Sequence, residues 1–327
     1  MNMYNVLMMN ETIFFTPPAP YQKAIILLIS SAIAISNTLI IYVVIRTRPL
    51  WTSAGVFMLG QALTDSSVGF MYLGFYESIH RGSLNGTICQ TMAYLLSATV
   101  LCRLLFLTAM SIDKLFTIKY PFQYPPKATT KRVILATVIL CLLAYAVCIP
   151  IAVSEYEYRT GAFLCEVKWR STSLYPYILQ SIIYIFITTM TGAHVNIFVI
   201  ARRHQKNINK IGIKKQKDTK ESKGNKPWVR NSFKSELKAI KMIILLVGVL
   251  YVCWLMYIGG IVIYQSTTGN IHYPLLHFAA IWLGLFYMCI IILLYSSTNK
   301  LFRLGFMKYV LCRQSTNDPD LVMSMTM

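Results

Sequence analysis

Residues 89–124 read CQTMAYLLSATVLCRLLFLTAMSIDKLFTIKYPFQY and contain the features that decide the fold. The stretch opens with a cysteine, stays apolar for about twenty residues apart from Arg103, and ends in Asp113-Lys114 and a Tyr-Pro turn. At ~1.5 Å per residue, a helix of this length spans the ~30 Å hydrocarbon core of a bilayer. The stretch therefore predicts a membrane helix with one charge in its middle and an acid–base pair at one end.

The composition of the whole chain is that of a membrane protein. Of its 327 residues, 56% are hydrophobic and 13% are charged, whereas a soluble globular chain has roughly 25% charged residues. We predict an all-α membrane protein: a bundle of seven transmembrane helices, followed by a short amphipathic helix at 298–311 on the membrane surface. The expected spans are 24–46, 54–76, 89–112, 133–153, 175–201, 239–264 and 274–296.

The basic residues predict the orientation. Of the 31 Lys and Arg residues, five lie in the amino-terminal segment and the even-numbered connections, and 25 lie in the odd-numbered connections and the carboxyl tail. Because basic residues accumulate on the cytoplasmic side, the amino terminus is expected outside and the carboxyl terminus in the cytoplasm of a plasma-membrane protein. This bias explains the net charge of +19 better than nucleic-acid binding does.

The connections divide the chain into three parts. Residues 1–21 are predicted as an extracellular tail, 22–312 as the membrane domain and 313–327 as a cytoplasmic tail. Within the domain, 204–235 is dense in Lys, Asn, Ser and Gly, and such a composition predicts a flexible inner loop.

Two kinds of modification are predicted on the outer side. Asn10 and Asn85 each begin an Asn-x-Thr glycosylation sequon. Cys89 and Cys165 are the only two cysteines expected outside, and an oxidising exterior favours a disulfide between them.

Two charged residues are predicted at the same membrane depth. Asp65 lies twelve residues from Glu77 at the outer end of its helix, and Arg103 lies fourteen from Cys89. Their depths therefore agree to within a few ångströms. Since an unpaired charge there costs at least ~2.5 kcal/mol, we predict a buried ion pair between them. The alternative is that Arg103 turns into a hydrated cavity.

Several motifs resemble those of rhodopsin-like (class A) G-protein-coupled receptors, most closely amine and trace-amine receptors. Asp113-Lys-Leu with the later Tyr-Pro-Phe-Gln-Tyr resembles the end of their third helix, Glu236-x-Lys-Ala-x-Lys leading to Cys-Trp254 resembles their sixth, and Trp282-Leu-Gly resembles their seventh. The resemblance covers roughly 22–312. It implies a receptor that binds an extracellular ligand and couples to a heterotrimeric G protein, without enzymatic activity, metal or cofactor.

The motifs of the activation machinery depart from the family pattern. In the family, the arginine after the helix-three acid is held by that acid and by the helix-six glutamate. Here Lys114 would contact Asp113 and Glu236, and the helix-seven tyrosine is kept as Tyr295. Lysine lacks the planar fork of arginine, so this lock should be weaker. The alternative is that Lys114 simply extends to the membrane interface.

A second departure concerns the sodium site. In the family, the acid of helix two, here Asp65, helps to bind a sodium ion together with polar residues of other helices. One of those residues, in helix three, is replaced here by Arg103. The resemblance implies that a tethered cation replaces sodium.

The ligand site departs most from the amine receptors. Their ammonium-binding aspartate, seven residues after the helix-three cysteine, is Leu96 here. An aromatic, mostly apolar pocket suits an apolar small molecule or a peptide side chain, and a cation held by Glu77 or by aromatic faces is the alternative. The expected lining is Tyr72, Tyr76, Leu96, Ser97, Val100, Trp254, Tyr257, Ile258, Phe278 and Trp282.

Two other functions are weighed against the receptor. The changed motifs also suit a non-signalling receptor-like protein or a heteromer partner. A transporter or channel would need paired broken helices or a lining of ionisable groups, whereas only Asp65 and Arg103 are charged at mid-depth and no internal repeat is visible.

Overall fold

The computed structural model describes part of the chain. The described residues are 12–14, 18–81, 83–120, 123–124, 129–153, 157–161, 164–168, 174–218, 248, 251–252 and 274–312. Nine helices lie in this part: α1 (Pro20–Arg46), α2 (Ser53–Gly74), α3 (Tyr76–Arg81), α4 (Gly86–Lys119), α5 (Thr130–Val147), α6 (Ile149–Val153), α7 (Tyr175–Asp218), α8 (Pro274–Thr298) and α9 (Lys300–Tyr309).

The predicted all-α bundle is confirmed, and helices occupy six of the seven predicted spans in the part of the chain that the structure describes. These spans are α1, α2, α4, the pair α5 and α6, α7 and α8, in chain order. By length and composition, four helices can cross a membrane: Pro20–Arg46, Gly86–Lys119, Thr130–Val153 and Tyr175–Ile200. A fifth candidate is Ile281–Ser297, if it is counted as one bent span together with Lys300–Tyr309. The sixth predicted span, 239–264, lies outside the described residues except for 248, 251 and 252.

Among the residues that the structure describes, four short strands accompany the helices. β1 (Thr12–Phe14) pairs antiparallel with β2 (Ser83–Asn85), with Thr12 opposite Asn85. β3 (Glu157–Gly161) pairs antiparallel with β4 (Leu164–Lys168). Part of the predicted amino-terminal tail is therefore joined to the connection that precedes α4.

The central helix of the bundle is α4. In its most apolar window, 67% of the residues are buried inside the protein, against 17% for Thr130–Val153 and 22% for α7. Two of its buried hydroxyl groups are satisfied within the helix, since Thr108 and Ser111 donate to the carbonyls of Leu104 and Leu107 at 2.8 and 2.7 Å. Such internal bonds are required where no water reaches the backbone.

The fourth span is broken near its carboxyl-terminal end, where Pro150 lacks a backbone N–H. Side chains of the neighbouring helices donate to carbonyls around the break. Tyr175 donates to Val147 O at 2.7 Å, and Gln90 donates to Ala152 O at 2.5 Å. These bonds fix the carboxyl-terminal end of the span against α4 and α7.

The fifth span lies at Tyr175–Ile200, close to the predicted bounds, but its helix continues well past it. α7 continues to Asp218, so the prediction of a flexible loop at 204–235 is wrong for 204–218, and 219–235 lie outside the described residues. Adding residues to an existing helix avoids the cost of nucleation. Lys, Gln and Arg are good helix formers, and no proline interrupts 177–218.

The predicted amphipathic helix is α9, which meets α8 at an angle of 101°. Asn299 caps it, because its Oδ1 accepts from Phe302 N at 3.1 Å. Phe302 is fully buried. The helix therefore runs across the end of the bundle instead of continuing α8.

Candidate functional site

A buried ion pair lies between α2 and α4. Nη2 of Arg103 donates to Oδ2 of Asp65, and the two side chains are 3% and 0% exposed. The ring of Tyr287, from α8, has its centroid 5.0 Å from Arg103 Cζ. The structure thus brings together the two residues that the depth argument pairs, and adds an aromatic face from a third helix.

Further polar groups surround this pair. Asn37 of α1 donates from Nδ2 to the carbonyls of Ile33 and Met288, at 2.9 and 3.2 Å, and so links α1 to α8. Within the described residues, several buried polar atoms of the cluster have no hydrogen-bond partner: Asp65 Oδ1, Arg103 Nε and Nη1, Asn37 Oδ1 and Tyr295 Oη. The ion pair uses only part of the hydrogen-bonding capacity of this cluster.

At the other end of α4, Asp113 accepts a hydrogen bond from the hydroxyl of Tyr124 at 3.0 Å. Phe116 stacks on the same tyrosine, with ring centroids 5.5 Å apart. Burial and, after it, the neighbouring Asp113 carboxylate raise the pKa of Tyr124 to about 12. Its hydroxyl therefore stays protonated and remains a donor at physiological pH.

This arrangement corrects the predicted lock. Lys114 forms no ion pair with Asp113 in the described part of the chain, and Glu236 lies outside that part. Successive helical residues point about 100° apart, so the side chain of Lys114 leaves the face on which Asp113 meets Tyr124. The fourth member of the predicted switch, Tyr295, is buried in α8, and its ring centroid lies 5.8 Å from that of Phe302.

Three of the predicted ligand-lining residues form an aromatic cluster between α2 and α8. The ring of Trp282 lies 5.5 Å from that of Tyr72 and 5.8 Å from that of Phe278, between centroids. All three are at least 96% buried. The other described members of the set are half-buried, namely Tyr76, Leu96, Ser97 and Val100. Trp254, Tyr257 and Ile258 lie outside the described residues.

The predicted modification sites are placed in part. Cys89 is disulfide-bonded, and β4, which contains Cys165, packs against α4. Asn85 is exposed and caps α4, because its Oδ1 accepts from Thr87 N at 2.9 Å. Asn10 lies outside the described residues.

Sequence reasoning missed two functional contacts. Tyr287 lies in the predicted span 274–296, but its ring contact with Arg103 depends on the rotation of that helix. Tyr124 belongs to the Tyr-Pro-Phe-Gln-Tyr motif, but only the return of the chain towards α4 places it on Asp113. The sequence shows that a tyrosine stands at each of these two positions, but it does not show which charged residue each tyrosine contacts.

Comparison with known proteins agrees with this architecture. The sequence profile described as "7 transmembrane receptor (rhodopsin family)" matches residues 36–295. The chain is 22% identical over 284 residues to the neuromedin-K receptor of Cavia porcellus, covering 83% of this chain and 61% of the relative. It is 24% identical over 307 residues to the alpha-1A adrenergic receptor of Oryzias latipes, covering 83% and 63%.

A third relative is the human G-protein coupled receptor 161, 23% identical over 260 residues, covering 71% of this chain and 48% of the relative. The chain spans about three fifths of the length of the neuromedin-K receptors that it matches. These relatives are receptors and not enzymes, and rhodopsin-family receptors are multi-pass proteins of the plasma membrane. With the profile matching well over half of its residues, the chain belongs to the rhodopsin family of seven-transmembrane receptors.

Proposed function

We propose that this receptor binds an extracellular ligand and signals to a heterotrimeric G protein, with its amino terminus outside and its carboxyl terminus in the cytoplasm. The observation that carries the proposal is the inner end of α4, where the acid of the family motif is retained, buried and hydrogen-bonded to Tyr124. A carboxylate held there by the hydroxyl of Tyr124 can change partners when the helices move, which is what a two-state receptor requires.

The direct test measures ligand-free signalling with G-protein dissociation biosensors in cultured cells. Lys114 forms no ion pair with Asp113 in the described residues, whereas the planar fork of an arginine is suited to pair with a carboxylate. Lys114→Arg should therefore stabilise the resting state and lower basal output, by roughly twofold to fivefold for a change of ~1 kcal/mol or less in the two-state equilibrium. Lys119→Arg, at the end of the same helix, is the matched control and should change nothing. Equal basal output from wild type and Lys114→Arg would show that residue 114 does not set the level of ligand-free signalling.

The second candidate function is a non-signalling receptor-like protein or heteromer partner. The observation that favours it is that Lys114 is not paired with Asp113 in the described residues. Silence of every biosensor, with normal surface expression of wild type and both variants, would support this second function over the first.

The ligand that we propose is an apolar or aromatic small molecule, or a peptide, in preference to a simple amine. The aromatic cluster of Tyr72, Phe278 and Trp282 supports it, as does Leu96 at the position where amine receptors have an acid. The relatives include receptors named for neuromedin K, and one named adrenergic. Two outer modifications belong to the same proposal: a disulfide between Cys89 and Cys165, and glycans on Asn10 and Asn85.

A parallel ligand screen tests this choice. We expect apolar compounds or peptides to activate the wild type, and amines to activate only Leu96→Asp, because an ammonium needs a buried carboxylate partner. The control is Leu95→Asp, one position away on the same helix, which should not gain amine responses. Amine activation of the unchanged receptor would contradict the proposed ligand class.

We also propose that Arg103 takes the place of a sodium ion beside Asp65. Thermal unfolding of the purified protein should then give the same midpoint in sodium chloride and in choline chloride of equal strength. Arg103→Ser, which removes the tethered cation, should gain stability in sodium only, since a ligand that binds the folded state stabilises it. Sodium-specific stabilisation of the wild type would contradict the replacement.

A further inference from the structure

The guanidinium of Arg103 is satisfied only in part by Asp65. Its Nη2 donates to Oδ2 of Asp65, whereas Nε and Nη1 have no hydrogen-bond partner among the described residues. A carboxylate can accept two parallel bonds from one arginine, but Oδ1 of Asp65 accepts none from the described part of the chain. Part of the positive charge therefore faces a group other than the carboxylate.

That group is the ring of Tyr287. Cζ of Arg103 lies over the ring, 5.0 Å from its centroid, and both side chains are buried. A cation over an aromatic face is attracted by the quadrupole of the ring, most strongly where water is excluded. An aliphatic side chain at position 287 would fill the same space without attracting the charge.

Tyr287 is the first of three consecutive residues that hold α8 at this depth. The carbonyl of Met288 accepts from Nδ2 of Asn37 at 3.2 Å, and Sγ of Cys289 donates to the carbonyl of Ile29 at 3.7 Å. These two contacts go to α1 and join neutral groups. Of the three, only the contact of Tyr287 goes to α4 and depends on a charge.

The ring joins α8 to the ion pair. The bond between Asp65 and Arg103 by itself links α2 to α4. With Tyr287 over the guanidinium, three helices meet at one cation in the hydrocarbon core. A displacement of α8 would take the ring away from Arg103, so the free energy of the ion pair depends on where α8 lies.

We propose that Tyr287 is a positioning residue for the buried ion pair: the face of its ring holds the guanidinium of Arg103 against Asp65 and ties α8 to the pair. The electron density of the ring does this work, beyond the volume that the side chain fills. The proposal depends neither on coupling to a G protein nor on the replacement of sodium, because it concerns only the contact among these three side chains.

A series of fluorinated rings separates the charge of the ring face from its shape. Tyr287→Phe and its derivatives with one, two or three fluorine atoms are produced in the full-length receptor, and thermal unfolding of the purified proteins is compared in one detergent. Each fluorine withdraws electron density from the ring face and adds little volume. We expect the unfolding midpoint to fall with every fluorine, and the unfolding equilibrium constant to rise roughly tenfold to 30-fold across the series.

All members of the series lack the tyrosine hydroxyl, so a trend along it cannot come from that group. The first control places the same rings at Phe106, a buried residue of α4 whose ring lies 6.4 Å from that of Phe57, between centroids. Among the described residues, no cation lies over the ring of Phe106. This series should change the unfolding constant by less than about threefold.

The second control removes the charge. In a receptor that carries both Asp65→Leu and Arg103→Leu, fluorination at position 287 should leave the unfolding midpoint unchanged, because the cation that the ring attracts is absent. The shape of the side chain at 287 varies there as it does in the unchanged receptor, so the difference between the two series measures the attraction to Arg103.

Three results would overturn the proposal. A series at 287 in which fluorine has no effect would mean that Tyr287 supports the ion pair by volume alone. A trend that persists without Asp65 and Arg103 would mean that the ring acts on another group. An equal trend at Phe106 would mean that fluorine weakens the packing of any buried ring. Since no signalling is measured, a failure here is distinct from a failure of the proposed function.

Discussion

Arg103→Leu is expected to destabilise the folded receptor by about 3–5 kcal/mol, the typical cost of breaking a buried ion pair from one side. The variant leaves the carboxylate of Asp65, which is fully buried, without its only ionic partner in the described residues. The carboxylate must then remain charged at high cost, become protonated or draw water into the bundle. Thermal unfolding of the purified protein in one detergent measures the loss.

The double variant Asp65→Leu with Arg103→Leu separates the charge from the packing. Replacing both partners of a buried pair with apolar residues is often neutral or stabilising, so the double variant should recover most of the stability lost in the single one. The exposed pair of Glu77 and Arg81, with N and O atoms 2.9 Å apart, is the matched control. Arg81→Leu should cost less than ~1 kcal/mol.

The result that would contradict this view is a double variant as unstable as Arg103→Leu. It would mean that the arginine side chain matters through its packing against Tyr287 and not through its charge.

Gly69→Val is expected to destabilise the protein by roughly 1–3 kcal/mol or more, because it overpacks the contact between α1 and α2. A Cβ atom on Gly69 would lie 2.6 Å from the backbone nitrogen of Ala34 and 3.0 Å from the carbonyl oxygen of Ser30. Backbone atoms cannot move aside as a flexible side chain can, so the two helices must separate. The same thermal unfolding measurement reports the loss.

Gly74, near the end of the same helix, provides the control. A Cβ atom there would meet no atom within 4 Å, so Gly74→Val should cost only the change in helix propensity, a few tenths of a kcal/mol in either direction. Similar losses at both positions would show that the cost is local to the helix and does not come from the contact with α1.

The sequence by itself determined most of the fold. Apolar length identified six helices that the structure contains, and the 298–311 pattern identified α9. The helices can be predicted from the sequence because a chain in the hydrocarbon core must form its backbone hydrogen bonds within each helix. The same rule explains the depth argument for Asp65 and Arg103: the rise per residue is fixed, so position in sequence gives depth directly.

The tertiary structure decided the contacts that depend on how each helix is rotated about its axis and on where the chain after α4 folds back onto that helix. Depth does not say which way a side chain points, so the ring of Tyr287 at Arg103 became visible only once α8 was packed against α2 and α4. Tyr124 replaced Lys114 as the partner of Asp113 for the same reason. The rings of Tyr42 and Tyr309 pack edge to face although the two residues lie more than 260 positions apart, and a local sequence pattern cannot relate them before α1 and α9 meet.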